Sequence, residues 1–300
     1  MPKTINQIYF YRYRINLLVK KQQFQLPLHP YALFHGLLGE LLYTGNGHSG
    51  QKFVRCENPG CAYCNLFKPV LPPGHFWLGK YTNPPVAYVI SPPNNGKEVY
   101  RKGEVLSLQL TLIGNANKHL PALISAFAQV GNIESTGLSQ EFLFHSVEGI
   151  APQTQEKEND NRFTLNNCGK QTLTPGSQLQ TESPLFLASK GKLVTNNILE
   201  HALQQAHLKY SLFAQLYCGA RYNTIIPLET DQLNYVQQTE IISWWRNDNK
   251  NGKRVKVKAV NGCFTVPDAS FSPHSSLLKL LPHFGIGQYS SYGMGKISSV

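Results

Sequence analysis

The first hydrophobic pattern in the chain has a period of two. Tyr9, Tyr11, Tyr13, Ile15, Leu17 and Val19 fall on one side, with Arg12, Arg14 and Asn16 on the other. Successive strand side chains point to opposite faces, so this alternation predicts a half-buried strand. Pro27 and Pro30 then break the chain, and from Tyr31 the spacing turns helical. Phe34, Leu37, Leu38, Leu41 and Leu42 make one stripe, with Pro30 where a helix start tolerates a missing N–H. After an insert over about 44–85, rich in Gly, Pro and Cys, strand spacing returns at 86–90. It returns again at Leu106, Leu108, Leu110 and Leu112, alternating with Ser107, Gln109 and Thr111. Gly114 ends that strand. A second helical stripe, Leu120, Leu123, Ile124, Phe127 and Val130, closes at Gly131, and 142–147 reads as a last strand. The order is strand, helix, strand, strand, helix, strand.

Residues 151–178 are polar, and the run 153–162 holds no large apolar side chain, which predicts a linker or exposed loop. The order then repeats. A short strand is expected at 184–187. Asn197 stands where it can cap a helix with the stripe Leu199, Ala202, Leu203, Ala206, Tyr210, Phe213 and Tyr217, followed by Gly219. Strands are expected at 241–245 and 254–260, joined through the tight-turn pair Asn251-Gly252. Ser272-Pro273 starts a short helix carrying Leu277, Leu278 and Leu281, and 293–300 can close the sheet. Two βαββαβ units in tandem predict an α+β protein of two ferredoxin-like, RRM-like domains, over 1–150 and 179–300. Sheets of this kind serve several RNA-recognition proteins as binding platforms.

Charge sharpens that picture. The 300 residues carry a formal net charge of +11 and a pI near 9.3, with 41% hydrophobic content. The hydrophobic content is enough for real cores, and the charge favours a polyanionic partner, because neutralising phosphates releases condensed counterions. The N-terminus lacks a run of signal-peptide type, and the most apolar later stretch, 31–43, contains His35 and Glu40 and is too short to span a bilayer. The expectation is a cytoplasmic protein with no membrane partner. Six cysteines in a chain of this length do not suggest a disulfide framework.

The strongest chemical signal is the loop Gly285-Ile-Gly287-Gln-Tyr289-Ser-Ser-Tyr292-Gly293-Met-Gly295-Lys296. Paired glycines let a backbone approach another backbone or a phosphate, and N–H groups in such a loop can cradle anions. Tyr289 and Tyr292 add stacking surface, and Lys296 adds charge. This loop resembles the C-terminal glycine-rich loop of the RAMP superfamily, whose members process and package CRISPR RNA. The run Leu33 to Leu42, LFHGLLGELL, resembles the first helix of its repeat-cutting endoribonucleases. The segment Cys56-Glu-Asn-Pro-Gly-Cys61-Ala-Tyr-Cys64-Asn-Leu-Phe67 resembles their cysteine-containing insert. Leu110-Thr-Leu-Ile-Gly114-Asn-Ala116, Ser183-Pro-Leu-Phe-Leu187 and Gly191-Lys-Leu193 also match in order, so the resemblance runs from about residue 30 to the C-terminus.

The resemblance implies metal-independent cutting of CRISPR repeat RNA. The RNA's own 2′-hydroxyl attacks the neighbouring phosphate and leaves a 2′,3′-cyclic phosphate. That reaction needs a general base, positive charge near the non-bridging oxygens and in-line geometry. Histidine suits the base role, since its pKa lies near neutrality. His35 is the first candidate, as some family members carry a catalytic histidine near this place on the helix, and Tyr31 is one turn before it. His48 is the second, in the Gly-rich stretch ahead of Lys52 and Arg55, and His29 is the third. A hairpin follows as phosphate contact: Arg254, Lys256 and Lys258 alternate with Val255, Val257 and Ala259, and Arg246, Lys250 and Lys253 lie near its turn. Alternating lysines also guard edge strands against aggregation. The run Arg246-Asn-Asp-Asn-Lys-Asn departs from the family's Arg-Tyr-Ser-type pattern, so contacts there do not carry over. Cys56, Cys61 and Cys64 have metal-like spacing, with His48 or His75 available as fourth ligand to a structural zinc that takes no part in cutting. A non-catalytic RAMP subunit that holds crRNA among effector-complex partners shares the fold, charge and loop. A zinc-dependent RNA-binding module is the third reading.

Overall fold

The computed structural model of the chain describes residues 4–45, 48, 54–74, 83–132, 138–152, 161–169, 176–230, 233–248, 253–266 and 274–300. Lys52, His75, Lys250, the Asn251-Gly252 turn and Ser272-Pro273 lie outside these.

The first half contains β1 (Tyr9–Val19), β2 (Gln23–Gln25), α1 (Tyr31–Gly45), α2 (Ala62–Phe67), β3 (Tyr88–Ser91), β4 (Val99–Arg101), β5 (Val105–Ile113), α3 (Leu120–Ala128) and β6 (Phe142–Ile150). β2 and β4 pair as a small ribbon. The main strands pair antiparallel in the order β3-β5-β1-β6. The stripe Phe34, Leu37, Leu38, Leu41 and Leu42 is buried to 2% exposure or less, so α1 docks as its periodicity predicts. Gly114 has a positive φ, and a Cβ there would overlap the Tyr217 carbonyl oxygen, so no other residue fits this strand end.

The second half contains β8 (Gln178–Thr181), β9 (Ala188–Ser189), β10 (Lys192–Leu193), α4 (Ile198–Tyr217), β11 (Val236–Asp248), β12 (Lys253–Thr265), α5 (Ser275–Phe284) and β13 (Ile297–Ser299), after β7 (Arg162–Thr164). Its sheet order, β11-β12-β8-β13, repeats that of the first half: second, third, first, fourth main strand. The architecture is thus mixed α and β with two antiparallel sheets.

Several expectations change. The opening strand of the second half is β8, not 184–187, where Leu185 makes a single bridge to Val260. That segment gives two further carbonyls to the glycine loop: Gly295 N–H donates to Pro184 O at 2.9 Å and Gln288 N–H to Phe186 O at 3.1 Å. Asn197 starts α4 with a left-handed backbone, but its side chain makes no capping bond. The described part of 151–178 is not an exposed linker. β7 pairs with the start of β1, and Phe163, 4% exposed, stacks on Phe10 at 5.0 Å between ring centroids. Phe10 itself lies on the face of β1 read as polar, yet it is fully buried against Phe284 of α5. Both halves contribute to one continuous buried apolar cluster, which closes this end of β1 on both faces.

Candidate active site

α1 points its first turns at the second half. The imidazole of His35 stacks on the Tyr292 ring at 3.7 Å between centroids, and its Nε2 lies 2.8 Å from the Tyr88 hydroxyl on β3. Phe67 of α2 forms another wall at 5.2 Å. Burial, and then the charge of Arg246, push the His35 pKa down to about 3, so the ring is neutral at physiological pH. Tyr88 is fully enclosed and its pKa is raised well above the ordinary value by burial, so it stays a neutral hydroxyl. When Nε2–H donates to that oxygen, the Nδ1 lone pair is the one left for a substrate. Nδ1 has no hydrogen-bond partner among the described residues.

The long hairpin brings in the cation. In the β11–β12 register Trp244 faces Val257 and Arg246 faces Val255, whereas Trp245, Asn247 and Ser243 face Lys256, Arg254 and Lys258. The first face turns toward the first half: Trp244 lies 4.3 Å from His29, and the Arg246 guanidinium sits 4.7 Å above the Tyr289 ring, close enough for its charge to act on Tyr292. Arg246 Nε is buried without a partner, a cationic donor next to an imidazole. Arg246 therefore does not belong to the basic row of Arg254, Lys256 and Lys258, which is exposed on the opposite face with Lys253 near its end. That outer face carries a residue the charge pattern hid: Trp245, 56% exposed, with the Arg254 guanidinium 5.7 Å over its ring.

The glycine loop has a more structural part than an anion cradle. Gly285, Gly287, Gly293 and Gly295 all have positive φ. A Cβ on Gly295 would overlap the Ile286 carbonyl oxygen, and one on Gly293 would come within 2.8 Å of Ser91 Cα on β3. The Gly285, Gly293 and Gly295 N–H groups donate to Leu281, Ser290 and Pro184 carbonyls, so they are not free for a phosphate. The loop is a clamp that delivers Tyr292 to α1 and Tyr289 to Arg246. Lys209 of α4, which carried no sequence signal, anchors it with Nζ at 2.6 Å from Ser290 Oγ and 3.4 Å from the Phe284 and Gly285 carbonyls. Burial lowers its pKa to about 7.

Beside the imidazole site, a cavity of about 240 Å³ is lined by residues of both halves, among them Tyr31, Arg12, Gly293, His283 and Lys296. Burial raises Tyr31 to about 12 and lowers Lys296 to about 8. Tyr31 thus serves as a neutral hydroxyl near the site, and Lys296 faces the cavity.

His48 is elsewhere. Its Nδ1 lies 3.6 Å from Cys61 Sγ and 3.7 Å from Cys64 Sγ, and Cys56 Sγ is 3.5 Å from Cys64 Sγ. Its Nε2 is buried with no partner, so neither nitrogen faces a groove. These four ligand atoms all lie within 4.8 Å of one another and can hold a metal ion. Tetrahedral zinc, with Zn–S of about 2.3 Å, separates ligand atoms by about 3.6–3.8 Å, close to the His48–Cys61, His48–Cys64 and Cys56–Cys64 separations.

Comparison with known proteins agrees with this architecture. The family model AF_1859_N, described as an N-terminal domain, matches residues 8–176, more than half of the chain. A search of curated proteins finds no match. Among solved structures, a Cas6 product complex is similar with a TM-score of 0.54 at 13% identity, over 97% of this chain and 99% of that one. Thermus thermophilus Cas6 gives 0.52 at 13%, over 98% and 99%. A partial Cas6-RT-Cas1–Cas2 complex gives 0.51 at 14%, over 98% of this chain and 46% of that one, so the present chain spans about half its length. The chain belongs to the AF_1859_N family, and from end to end it carries the fold of Cas6 proteins.

Proposed function

We propose that this protein binds CRISPR repeat RNA and cuts it with its own residues, by 2′-hydroxyl attack that breaks the P–O5′ bond and leaves a 2′,3′-cyclic phosphate on one fragment and, once the departing oxygen has taken up a proton, a 5′-hydroxyl on the other. The observation that carries the reading is the meeting of His35, held by Tyr88 and Tyr292, with the Arg246 guanidinium, whose Nε has no partner, where the two halves of the chain pack together. We read those halves as ferredoxin-like units over 1–150 and 179–300. His35 Nδ1 takes the 2′-hydroxyl proton, and Arg246 stabilises the charge that grows on the phosphate oxygens. A phosphate beside Arg246 offsets its repulsion of the imidazolium and raises the His35 pKa, while burial continues to hold it below the ordinary value. Tyr31 adds a hydroxyl at the groove. Lys253, Arg254, Lys256, Lys258 and Trp245 supply phosphate and base contacts along the outer face of the hairpin. The similarity to a Cas6 product complex supports the substrate class, and the similarity to a Cas6-RT-Cas1–Cas2 assembly supports CRISPR effector or integration proteins as partners. The Cys-His cluster is assigned to a structural zinc ion, and no chemical step runs through it.

The test is incubation with end-labelled repeat RNA in EDTA. One discrete cut ending in a cyclic phosphate is expected. RNA bound tightly but left whole would replace the enzyme with a non-catalytic RAMP subunit, a reading favoured by the close stacking of Tyr292 over the imidazole.

A further inference from the structure

We infer that one zinc ion, held by Cys56, Cys61, Cys64 and His48, fixes α2 so that Phe67 walls the His35 ring, which makes Phe67 a positioning residue of the cleavage site. The inference rests on the reading of His35 as general base and of the cluster as a zinc site.

α2 has six residues. A helix of that length does not hold itself together, because nucleation consumes most of its hydrogen-bond gain. Its anchors are the cluster and Arg55. Cys61 is the N-cap, and its sulfur accepts the Cys64 N–H at 3.4 Å, while Cys64 sulfur accepts the Cys56 N–H at 3.2 Å. At the other end Arg55 donates to the Cys64 and Lys68 carbonyls and to Asn65 Oδ1 at 2.8–3.0 Å. Three neutral thiols give only weak hydrogen bonds, whereas thiolates on a zinc ion accept N–H bonds strongly and lock His48, Cys56 and α2 in one geometry.

Phe67 lies one turn after Cys64, on the same side of α2. Its ring stacks on Tyr63 at 5.4 Å and packs at 5.2 Å from His35 and 5.0 Å from Tyr88. Tyr63 in turn touches His48 at 4.9 Å, so the aromatic stack runs from the metal ligand to the imidazole. α1 makes room for it: a Cβ on Gly39, one turn after His35, would meet Phe67 Cε1 at 3.0 Å. The groups that face His35 are Phe67, Tyr88, Tyr292 and Arg246, and Phe67 is the one delivered by the insert.

The experiment compares wild type, Cys61→Ser, Phe67→Ala and Phe67→Tyr. Metal content and the visible absorption of the cobalt-substituted protein report the cluster, NMR titration of the His35 ring reports its enclosure, and single-turnover cleavage with RNA binding reports function. Wild type should carry one zinc per chain, lost in Cys61→Ser and kept in both Phe67 variants. In Cys61→Ser and in zinc-loaded Phe67→Ala the His35 pKa should rise, and cleavage should slow by about 10- to 100-fold at nearly unchanged RNA affinity. Phe67→Tyr should restore both. A wild-type chain that takes up neither zinc nor cobalt would overturn the metal site. Full zinc loss, or Phe67→Ala, that leaves the His35 titration unmoved would overturn the coupling. The titration needs no turnover, so it separates this inference from the assignment of His35 as base.

Discussion

At the scale of single residues the chemistry turns on one ring and its neighbours. His35→Ala removes the proposed base and should slow single-turnover cutting by about 10²- to 10⁴-fold, with RNA affinity within a few-fold. Normal cutting by this variant would leave the site without its base. Arg246→Ala should cost about 10²- to 10³-fold in rate, since it removes charge from a water-poor site. The same change should raise the His35 pKa, because the guanidinium contributes to its depression. His35 was legible in the sequence as a candidate through the resemblance of its helix, with Tyr31 one turn before it. Its partners were not. Tyr88 looked like one more strand residue, and Arg246 like part of a basic row. The distinction between Arg246 and Lys256 is a matter of which side of the hairpin each side chain takes, and the pairing register decides that.

At the scale of elements the hairpin has two faces with different work. The inner one seats Trp244 and Arg246 against the first half, and the outer one shows Trp245 amid Arg254, Lys256 and Lys258. Changing Lys256 and Lys258 together to Ala should weaken RNA binding and reduce the salt slope by about 1.4 to 1.8, as each phosphate contact contributes about 0.7–0.9. An unchanged slope would remove the outer face from the interface. Trp245→Ala should weaken binding by about 1–3 kcal/mol if a base stacks there, with little change in salt dependence. The glycine loop makes a contrasting prediction. Gly295→Ala should lower the melting temperature and the cutting rate together, since a side chain overlaps the Ile286 carbonyl oxygen and disturbs the seat of Tyr292. A soluble Gly295→Ala protein with unaltered melting would contradict that packing.

At the scale of the whole molecule, two half-units share a core, and the shared core buries titratable groups. His35 and His283 are both lowered from 6.5 to about 3, mainly by burial. Between those values the unfolded chain binds more protons than the folded one, so stability is complete above pH 6.5 and falls as the pH drops toward 3. Thermal melts from pH 7 to 4 should show that decline, and His283→Gln should flatten it; a pH-independent melting temperature would speak against the burial of both rings. The chain's local patterns by themselves determined α1, α3, α4 and α5, most main strands, the repeated order and a glycine loop that lets backbones approach closely, because these depend on local spacing and backbone sterics; α2, inside the insert, carried no such signal. They placed the opening strand of the second half at 184–187, since an apolar run does not reveal whether its backbone bonds go to a sheet or to a loop. Only the tertiary structure decided which histidine meets the guanidinium, which one joins the cysteines, and that Lys209 anchors the loop. Those choices rest on contacts between segments far apart in the chain, whose geometry is set by how the two halves pack and not by any spacing within either.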